Sequence, residues 1–316
     1  MQSIFVQVPA YRDFELPKTI DDAIKNASGT VRLHFGVHNC VLFSGEIEVR
    51  LDLPSWAKLS LSESVAPLNI GLQLSRYIAN EFYEGEDYYL QIDSHMRFVK
   101  DWDLLAIDNI KYCQSLGVEK PLLTMYPSNY GYRDDGAEWR ETHTKFSPTT
   151  ISFHEQPDQF KETLIPSQTA VATDDHCLYT PSVSGGCIFT SGDFSQVTPN
   201  KKIAFWGEEL LIAARAFTHG FIPVTPRQHL VWHLYASNQP FSQMRRHHAW
   251  ADFPAEWAVL DAESKAEYKR IFQDRIIGEG ALGTERTLEE FEDFTGLDFA
   301  TGTIVNRNHV PSAVSQ

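Results

Sequence analysis

Basic residues, closely spaced cysteines and long apolar runs are all scarce in this 316-residue sequence. Lys and Arg number 27 against 42 Asp and Glu, which gives a formal net charge of −15 and a pI near 5.2. This balance argues against a protein that wraps nucleic acid, because phosphate binding depends on a surplus of basic residues. No run of about 18 apolar residues is present, so we expect no membrane span. We also expect no secretion signal, because the N-terminus has no charged segment followed by a long apolar one.

The four cysteines are widely separated, and no two of them form a Cys-x-x-Cys pair. Their positions are Cys40, Cys113, Cys177 and Cys187. This spacing argues against a thiolate zinc site and predicts reduced, buried thiols in a cytoplasmic protein. An apolar content of 42% and a mean hydropathy of −0.30 are typical of a globular chain, here one large α/β domain or two smaller ones.

The order of the predicted elements near the N-terminus indicates an α/β fold. Residues 4–10 are predicted as a strand, 18–27 as a helix and 31–37 as a second strand. This order is typical of the opening of a doubly wound sheet. Residues 41–67 are expected to be irregular. Residues 128–145 are expected to form a long loop or a small insertion over the sheet, of the kind that covers a site or contacts substrate.

The most informative stretch is a short predicted strand, residues 88–92, that ends in Asp93, Ser94 and His95. Its aromatic and β-branched side chains favour a strand, and ligands of open α/β sheets bind beyond the carboxyl ends of the strands. Side chains at i and i+2 of an extended segment point the same way, so Asp93 and His95 would contact one metal ion. A carboxylate with an imidazole suits Mn²⁺. The same three-residue pattern is also frequent at ordinary strand ends.

Several other residues are candidates on local grounds, each with an ordinary structural alternative. Arg12 follows the first strand, where a nucleotide would lie, or it belongs to a solvated loop. Arg76 falls in the last turns of a predicted helix, where its charge also complements the helix dipole. Gly185 and Gly186, inside a strand-like run, indicate a close approach of backbone to a ligand or a bulge. His233, in an apolar run, is by itself more often a core histidine than a ligand.

The second half of the chain contains one strong helix and then changes character. Two carboxylates, Glu208 and Glu209, precede a long apolar helical segment, where the helix dipole would stabilise them whatever their role. From about residue 249 the sequence is aromatic, acidic and helical. We therefore expect one domain over residues 1–248 and a helical appendage with a tail over residues 249–316.

Together these residues resemble the cytoplasmic N-acetylglucosaminyltransferase family whose known eukaryotic members modify hydroxyproline on a ubiquitin-ligase adaptor protein. The similarity extends over most of the chain. The matching segments are residues 5–7, 11–13, 91–98, the Gly185-Gly186 strand, 207–209, 233–235 and 282–288.

The sequence is also similar, more distantly, to the mucin-type polypeptide N-acetylgalactosaminyltransferases. Those enzymes use an Asp-x-His pair and a later histidine on Mn²⁺, and a Gly-Gly strand and a Trp-Gly-Gly-Glu segment lie between them. By that likeness His233 becomes the third metal ligand, and Glu208 and Arg215 fall in the same order along the chain. The aromatic residue of that family stands one position before Trp206, so either Phe205 or Trp206 takes its place.

These resemblances imply a GT-A fold, an α/β mixed sheet flanked by helices with a C-terminal helical appendage. They imply a retaining glycosyltransferase that uses Mn²⁺ or Mg²⁺ to move a sugar, GlcNAc, from a UDP-sugar to a hydroxyl acceptor on a protein or peptide. The implied catalytic residues are Glu208, Asp93 and Trp206. The implied nucleotide-sugar contacts are Arg12, Tyr11, Arg76, Ser94, Gly185 and Gly186. The implied metal ligands are Asp93, His95 and His233.

Two other functions are compatible with the same residues. The first is a metal-dependent hydrolase of phosphate esters, in which Asp93, His95 and His233 would activate water. The second is a non-catalytic module that binds sugar or protein on a decayed transferase fold. The presence of all of Asp93, His95, Glu208 and His233 counts against that second alternative, because a decayed site is expected to lose some of them.

Overall fold

A mixed β-sheet organises the residues that the computed structural model describes, which are 1–142, 149–154, 157–172, 177–235 and 247–305. The strands are β1 (Ser3–Tyr11), β2 (Arg32–Val41), β3 (Ala57–Val65), β4 (Tyr88–Ile92), β5 (Met96–Phe98), β6 (Pro121–Thr124), β7 (Ser128–Tyr132), β8 (Glu138–Arg140), β9 (Thr149–His154), β10 (Ser167–Ala172), β11 (Cys187–Ser191), β12 (Ile222–Val224), β13 (Val231–His233), β14 (Leu297–Asp298) and β15 (Thr303–Ile304). The helices are α1 (Leu16–Asn26), α2 (Leu72–Asn80), α3 (Trp102–Ser115), α4 (Pro157–Thr163), α5 (Glu208–Thr218), α6 (Ala249–Asp252), α7 (Pro254–Gln273) and α8 (Leu288–Thr295).

The main sheet of the described chain has the strand order β12-β6-β11-β4-β1-β2-β3. β1 runs parallel to β2 and to β4, whereas β11 is antiparallel to β4 and β6. Successive β1 residues pack into different clusters, Val6 with Leu90 and Phe5 with Tyr89, so apolar side chains cover both faces. Strands buried on both faces are typical of α/β proteins. The predicted α/β mixed sheet flanked by helices is confirmed.

A smaller sheet of the described residues has the order β5-β13-β7-β8 and carries the second half of the candidate site. β13 pairs antiparallel with β5, and His233 lies opposite Met96. This register places His233 beside His95, the residue before β5. The position of this strand therefore follows from pairing between segments far apart in the chain.

The C-terminal helices share a hydrophobic core with the main sheet. Tyr268 and Phe272 of α7 and Phe291 of α8 are buried in one cluster with Phe5 and Tyr89 of the sheet. α8 begins with a capping box, in which Thr287 accepts a hydrogen bond from the Glu290 backbone and Glu290 accepts one in return. The division at residues 248 and 249 stays a prediction, and residues 306–316 of the expected tail lie outside the described residues.

Residues 41–67 were expected to be irregular but contain a strand, so that prediction was wrong, and residues 128–145, expected to be a long loop or a small insertion, contain a hairpin. Residues 57–65 form β3, which pairs along its length with β2. Within 128–145, β7 and β8 form an antiparallel hairpin that continues the smaller sheet, and residues 143–145 lie outside the described part of the chain. The serine-rich and turn-rich sequences are weak strand formers, and pairing with a neighbouring strand supplies the hydrogen bonds that hold them extended.

The prediction of reduced thiols is wrong for two of the four cysteines. Cys113 on α3 and Cys177 are joined in a disulfide, and both are buried in one hydrophobic cluster. Cys40 and Cys187 are buried free thiols, as expected. The pairing joins residues 64 positions apart, which depends on how α3 packs and which no local spacing reports. Separately, none of the helices in the described part of the chain combines the length and the apolar character needed to cross a membrane.

Candidate active site

Asp93, His95 and His233, the three side chains predicted as metal ligands, converge beyond the carboxyl end of β4. His95 Nε2 lies 2.9 Å from His233 Nε2, and His233 Nε2 lies 3.3 Å from the Asp93 Oδ2 atom. The remaining distance, from His95 Nε2 to Asp93 Oδ2, is 3.9 Å. Neighbouring ligands of an octahedral cation bound at about 2.1 Å are roughly 3 Å apart, so this donor set fits a Mn²⁺ or Mg²⁺ ion.

Asp13, which the sequence analysis did not single out, determines how His95 is oriented. Its Oδ2 atom accepts hydrogen bonds from the His95 ring at Nδ1, over 2.7 Å, and from the Ser94 hydroxyl, over 2.6 Å. Burial opposes ionisation of Asp13, but the His95 charge and these hydrogen bonds outweigh it and lower its pKa to about 2. A carboxylate on Nδ1 leaves Nε2 facing the other two ligands, as in many metal sites. Ser94, predicted to contact the nucleotide, donates to Asp13.

Arg76 is a buried connector between the metal triad and the carboxylates on α5. Its guanidinium donates to Glu208 Oε1 over 2.8 Å, to Asp93 Oδ1 over 3.1 Å and to the Gly185 carbonyl over 2.9 Å. A further bond reaches the Ile92 carbonyl. Burial raises the pKa of Asp93, but the hydrogen bond from His233 and the charges of His95 and Arg76 outweigh it and hold that pKa well below its usual range. The predicted contact of Arg76 with UDP stays a prediction.

Gly185 and Gly186 occupy the turn immediately before β11, so the strand begins later than the sequence pattern indicated. A Cβ atom on Gly186 would lie 2.9 Å from Asp93 Oδ2, and one on Gly185 would lie 3.3 Å from Glu208 Oε1. A side chain at position 186 would therefore have to displace the Asp93 carboxylate, and one at position 185 would crowd Glu208. Their predicted contacts with the sugar remain predictions, and the Gly185 N–H donates to Glu209.

Glu209 is a second carboxyl group of the cavity wall, and it bonds the Gly185 N–H, whereas Arg76 bonds the Gly185 carbonyl. It accepts hydrogen bonds from the Gly185 backbone over 2.9 Å, from the Tyr126 hydroxyl over 2.9 Å and from the Gln168 amide. Burial raises the pKa of Glu209 to about 7 and also raises the pKa of Glu208. The sequence pattern was interpreted with Glu208 as the functional carboxylate. The pair of adjacent acids at the start of the helix indicated Glu209 as a candidate as well.

Replacing Glu209 with glutamine should stabilise the protein at high pH and have little effect at low pH. The raised pKa means that the folded chain keeps a proton on Glu209 between about pH 4.5 and 7, where the unfolded chain releases it. Stability from this group is therefore present below about pH 4.5 and is lost as the pH rises towards 7. The variant escapes that loss, so its advantage should grow to at most about 3 kcal/mol by pH 8. Urea unfolding at pH 5 and pH 8 measures it, and an equal difference at both pH values would contradict the assignment.

Tyr11 lines the same cavity as the metal triad, Arg12 follows it in the chain, and acidic side chains bind both. Arg12 forms ion pairs with Glu46 over 2.8 Å and with Asp252 over 2.6 Å. The Tyr11 hydroxyl donates to the same Asp252 carboxylate over 2.9 Å. The structure therefore brings Tyr11 but not Arg12 to the cavity lining, and the polar groups of both are bonded to protein carboxylates.

One cavity of about 570 Å³ connects these groups. The metal triad, Glu208, Glu209 and Tyr11 all line it. Trp206, predicted as catalytic, lines the cavity with half of its side chain exposed, and the neighbouring Phe205 ring packs 5.3 Å from it. Because both rings line the cavity, the geometry leaves the choice between Phe205 and Trp206 open.

Comparison with known protein families identifies one that this chain matches. A family model described as glycosyltransferase (GlcNAc) matches residues 68–301. No curated protein matches the chain.

Solved structures show only distant similarity. The chain is similar to GalNAc-T7 crystallised with UDP, GalNAc and Mn²⁺, at 12% identity and a TM-score of 0.47, over 93% of this chain and 54% of that one. It is also similar to residues 1–349 of S. aureus TarS in complex with UDP-GlcNAc, at 12% identity and a TM-score of 0.42, over 87% of this chain and 71% of that one. The chain thus spans about half the length of the GalNAc-T7 structure.

Proposed function

The chain belongs to the GlcNAc glycosyltransferase family, and from that premise we propose that it transfers GlcNAc from UDP-GlcNAc to a hydroxyl group, with retention of configuration. The observation that carries the proposal is the convergence of Asp93, His95 and His233 in a cavity that also contains Glu208. An acid and two imidazoles at the carboxyl edge of an α/β sheet are suited to hold a divalent cation beside a diphosphate.

Each group around the triad has a role that its contacts support. Asp13 keeps the His95 ring oriented, and Arg76 bridges Asp93 and Glu208 with its single positive charge. A cation bound by the triad would supply electrostatic stabilisation of the charge that develops on the UDP leaving group. Glu208, fixed by Arg76, is placed to accept hydrogen bonds from sugar or acceptor hydroxyls.

The proposed transfer needs no separate strong base. The acceptor oxygen forms a bond to the anomeric carbon while the bond from that carbon to the β-phosphate oxygen breaks on the same face of the sugar. The proton of the acceptor hydroxyl passes to the departing phosphate oxygen, so atoms and charge balance. Glu208 then acts by positioning, which agrees with its place against the Arg76 guanidinium.

The finer assignments are proposals of the same kind. We propose Mn²⁺ or Mg²⁺ as the cation, a protein or peptide as the acceptor, with hydroxyproline as one candidate residue, and a cytoplasmic location. The chain's net charge of −15 favours an acceptor other than nucleic acid.

A panel of UDP-sugars with Mn²⁺, read out as released UDP, tests the reaction class and the donor together. We expect slow UDP release from UDP-GlcNAc even without an acceptor, and none after the metal is removed with a chelator. Cleavage of simple phosphate esters with no requirement for a nucleotide sugar would instead favour the hydrolase. Absence of both UDP binding and UDP-sugar consumption would contradict the transferase.

A further inference from the structure

A short segment immediately before α7 lines the cavity. We call residues 247–253, which include α6, the strap. Four consecutive strap residues, His247, His248, Ala249 and Trp250, line the cavity together with Tyr11. The His248 and Trp250 rings are stacked, with their centroids 4.3 Å apart and their planes 11° from parallel. The strap is therefore part of the cavity wall.

Asp252 attaches the strap to the end of β1. Its Oδ2 atom accepts a hydrogen bond from the Tyr11 hydroxyl over 2.9 Å and one from Arg12 Nη1 over 2.6 Å. Arg12 is bound on its other side by Glu46, over 2.8 Å. The side chains of Arg12, Glu46 and Asp252 are 11%, 8% and 23% exposed, so these ion pairs are better shielded from solvent than ordinary surface pairs.

The backbone at Arg12 is consistent with a position determined by tertiary contacts. Arg12 has a φ of 47°, in the left-handed region that L side chains seldom adopt, and its N–H donates to the Cys40 carbonyl at the end of β2. Such conformations persist where the surrounding structure holds them, and they cluster at binding sites. Here the conformation accompanies a guanidinium that bridges Glu46 and Asp252.

The chemistry of the cavity lining indicates which part of a nucleotide sugar each group suits. The carboxylates of Glu208 and Glu209 match sugar hydroxyls. The rings of His248 and Trp250, with Phe205 packed 5.3 Å from Trp250, match the planar face of a base. With a diphosphate at the metal triad, these rings are the surface suited to the nucleoside.

We propose that Asp252 is a positioning residue that holds the strap over the nucleoside through Tyr11 and Arg12, without contacting the nucleotide itself. This inference rests on the proposed function, because it takes a UDP-sugar as the ligand. It assigns Arg12 to holding the strap, since one guanidinium faces two carboxylates and has no net positive charge left for a diphosphate.

Asp252→Asn separates this role from direct phosphate binding by Arg12. If the strap is held by Asp252, the variant should bind both UDP and uridine roughly tenfold more weakly, which is the effect of losing a charge-assisted hydrogen bond. If Arg12 contacts the phosphates, release of Arg12 from Asp252 should leave UDP binding unchanged or tighten it. Calorimetric titration with UDP and uridine, in the presence of Mn²⁺, distinguishes the two.

Asp261→Asn is the matched control, because Asp261 on α7 pairs with Lys265 at 2.6 Å and does not line the cavity. It should bind UDP and uridine as the unmodified chain does. Tyr11→Phe, which removes one of the two donors to Asp252, should give a smaller loss and serves if the Asp252 variant does not fold. UDP binding that is unchanged or tighter in a folded Asp252→Asn variant overturns the inference. Failure of the unmodified chain to bind UDP overturns the proposed function instead.

Discussion

Replacing His233 with alanine is expected to lower Mn²⁺-dependent UDP release by about 100-fold or more, a loss typical of removing an electrostatic group that stabilises developing charge. His233 Nε2 lies 2.9 Å from His95 Nε2 and 3.3 Å from Asp93 Oδ2, so its removal leaves two ligands on one side of the cation site. Mn²⁺ binding, followed by electron paramagnetic resonance, should weaken in parallel. The fold should persist, because the neighbouring Asp93 and His95 keep their bonds to Arg76 and Asp13.

His34 provides the matched control for this variant. Its Nδ1 atom lies 2.5 Å from Glu86 Oε1, and together with Glu84 it forms another His and carboxylate group among the described residues that is compact enough for a metal ion. This group lies near the start of β2, at the other end of the strands. His34→Gln should keep Mn²⁺-dependent UDP binding and UDP release. If His34→Gln lost them and His233→Ala did not, the assignment of the metal site would be wrong.

Replacing Arg76 with methionine is expected to lower the free energy of unfolding by about 3–5 kcal/mol. Arg76 is 1% exposed and donates to the carboxylates of both Glu208 and Asp93. Without the guanidinium the buried Glu208 and the partly exposed Asp93 would both lose their cationic partner, and removing one partner of a buried ion pair is costly for that reason. Urea unfolding measures the change, and UDP release should fall as well because both carboxylates lose their fixed positions.

Arg215 on α5 is the comparison for Arg76, because it is also a buried arginine but its surroundings differ. It is 2% exposed and donates to the Thr198 carbonyl, and no carboxylate in the described part of the chain forms an ion pair with it. Burial lowers its pKa to about 10. Arg215→Met should therefore be close to neutral or stabilising, since it removes a buried charge without leaving one unpaired. Equal losses in the two variants would show that Arg76 stabilises the fold by packing and not by pairing.

The sequence analysis was most successful where the relevant geometry is local. Asp93 and His95 are two positions apart in an extended segment, so their side chains point the same way whatever the rest of the fold does. The strand before them and the helix after Glu208 follow from short-range patterns of apolar residues, and both are present. His233 entered only through the family resemblance, because the position of an isolated histidine in an apolar run carries no local sign of a partner.

The contacts between distant segments were beyond the reach of sequence patterns. From the sequence, Arg76 could equally well stabilise the dipole of its own helix or contact a nucleotide. Its burial between Asp93 and Glu208 depends on how α2 packs against the sheet. Asp13 was passed over for the same reason, since only the placement of β4 beside β1 brings it to His95.

The amino-acid sequence by itself therefore determined the α/β alternation, the acid and imidazole at the end of β4, and the pair of carboxylates at the start of α5. The tertiary structure decided that β5 pairs with β13 in the register that brings His233 to His95, that Asp252 reaches Arg12, and that Cys113 meets Cys177. Backbone geometry and hydrophobic periodicity act over a few residues and can be read directly. Partners separated by 64 to 240 positions meet only when the free energy of the whole packed chain selects one register.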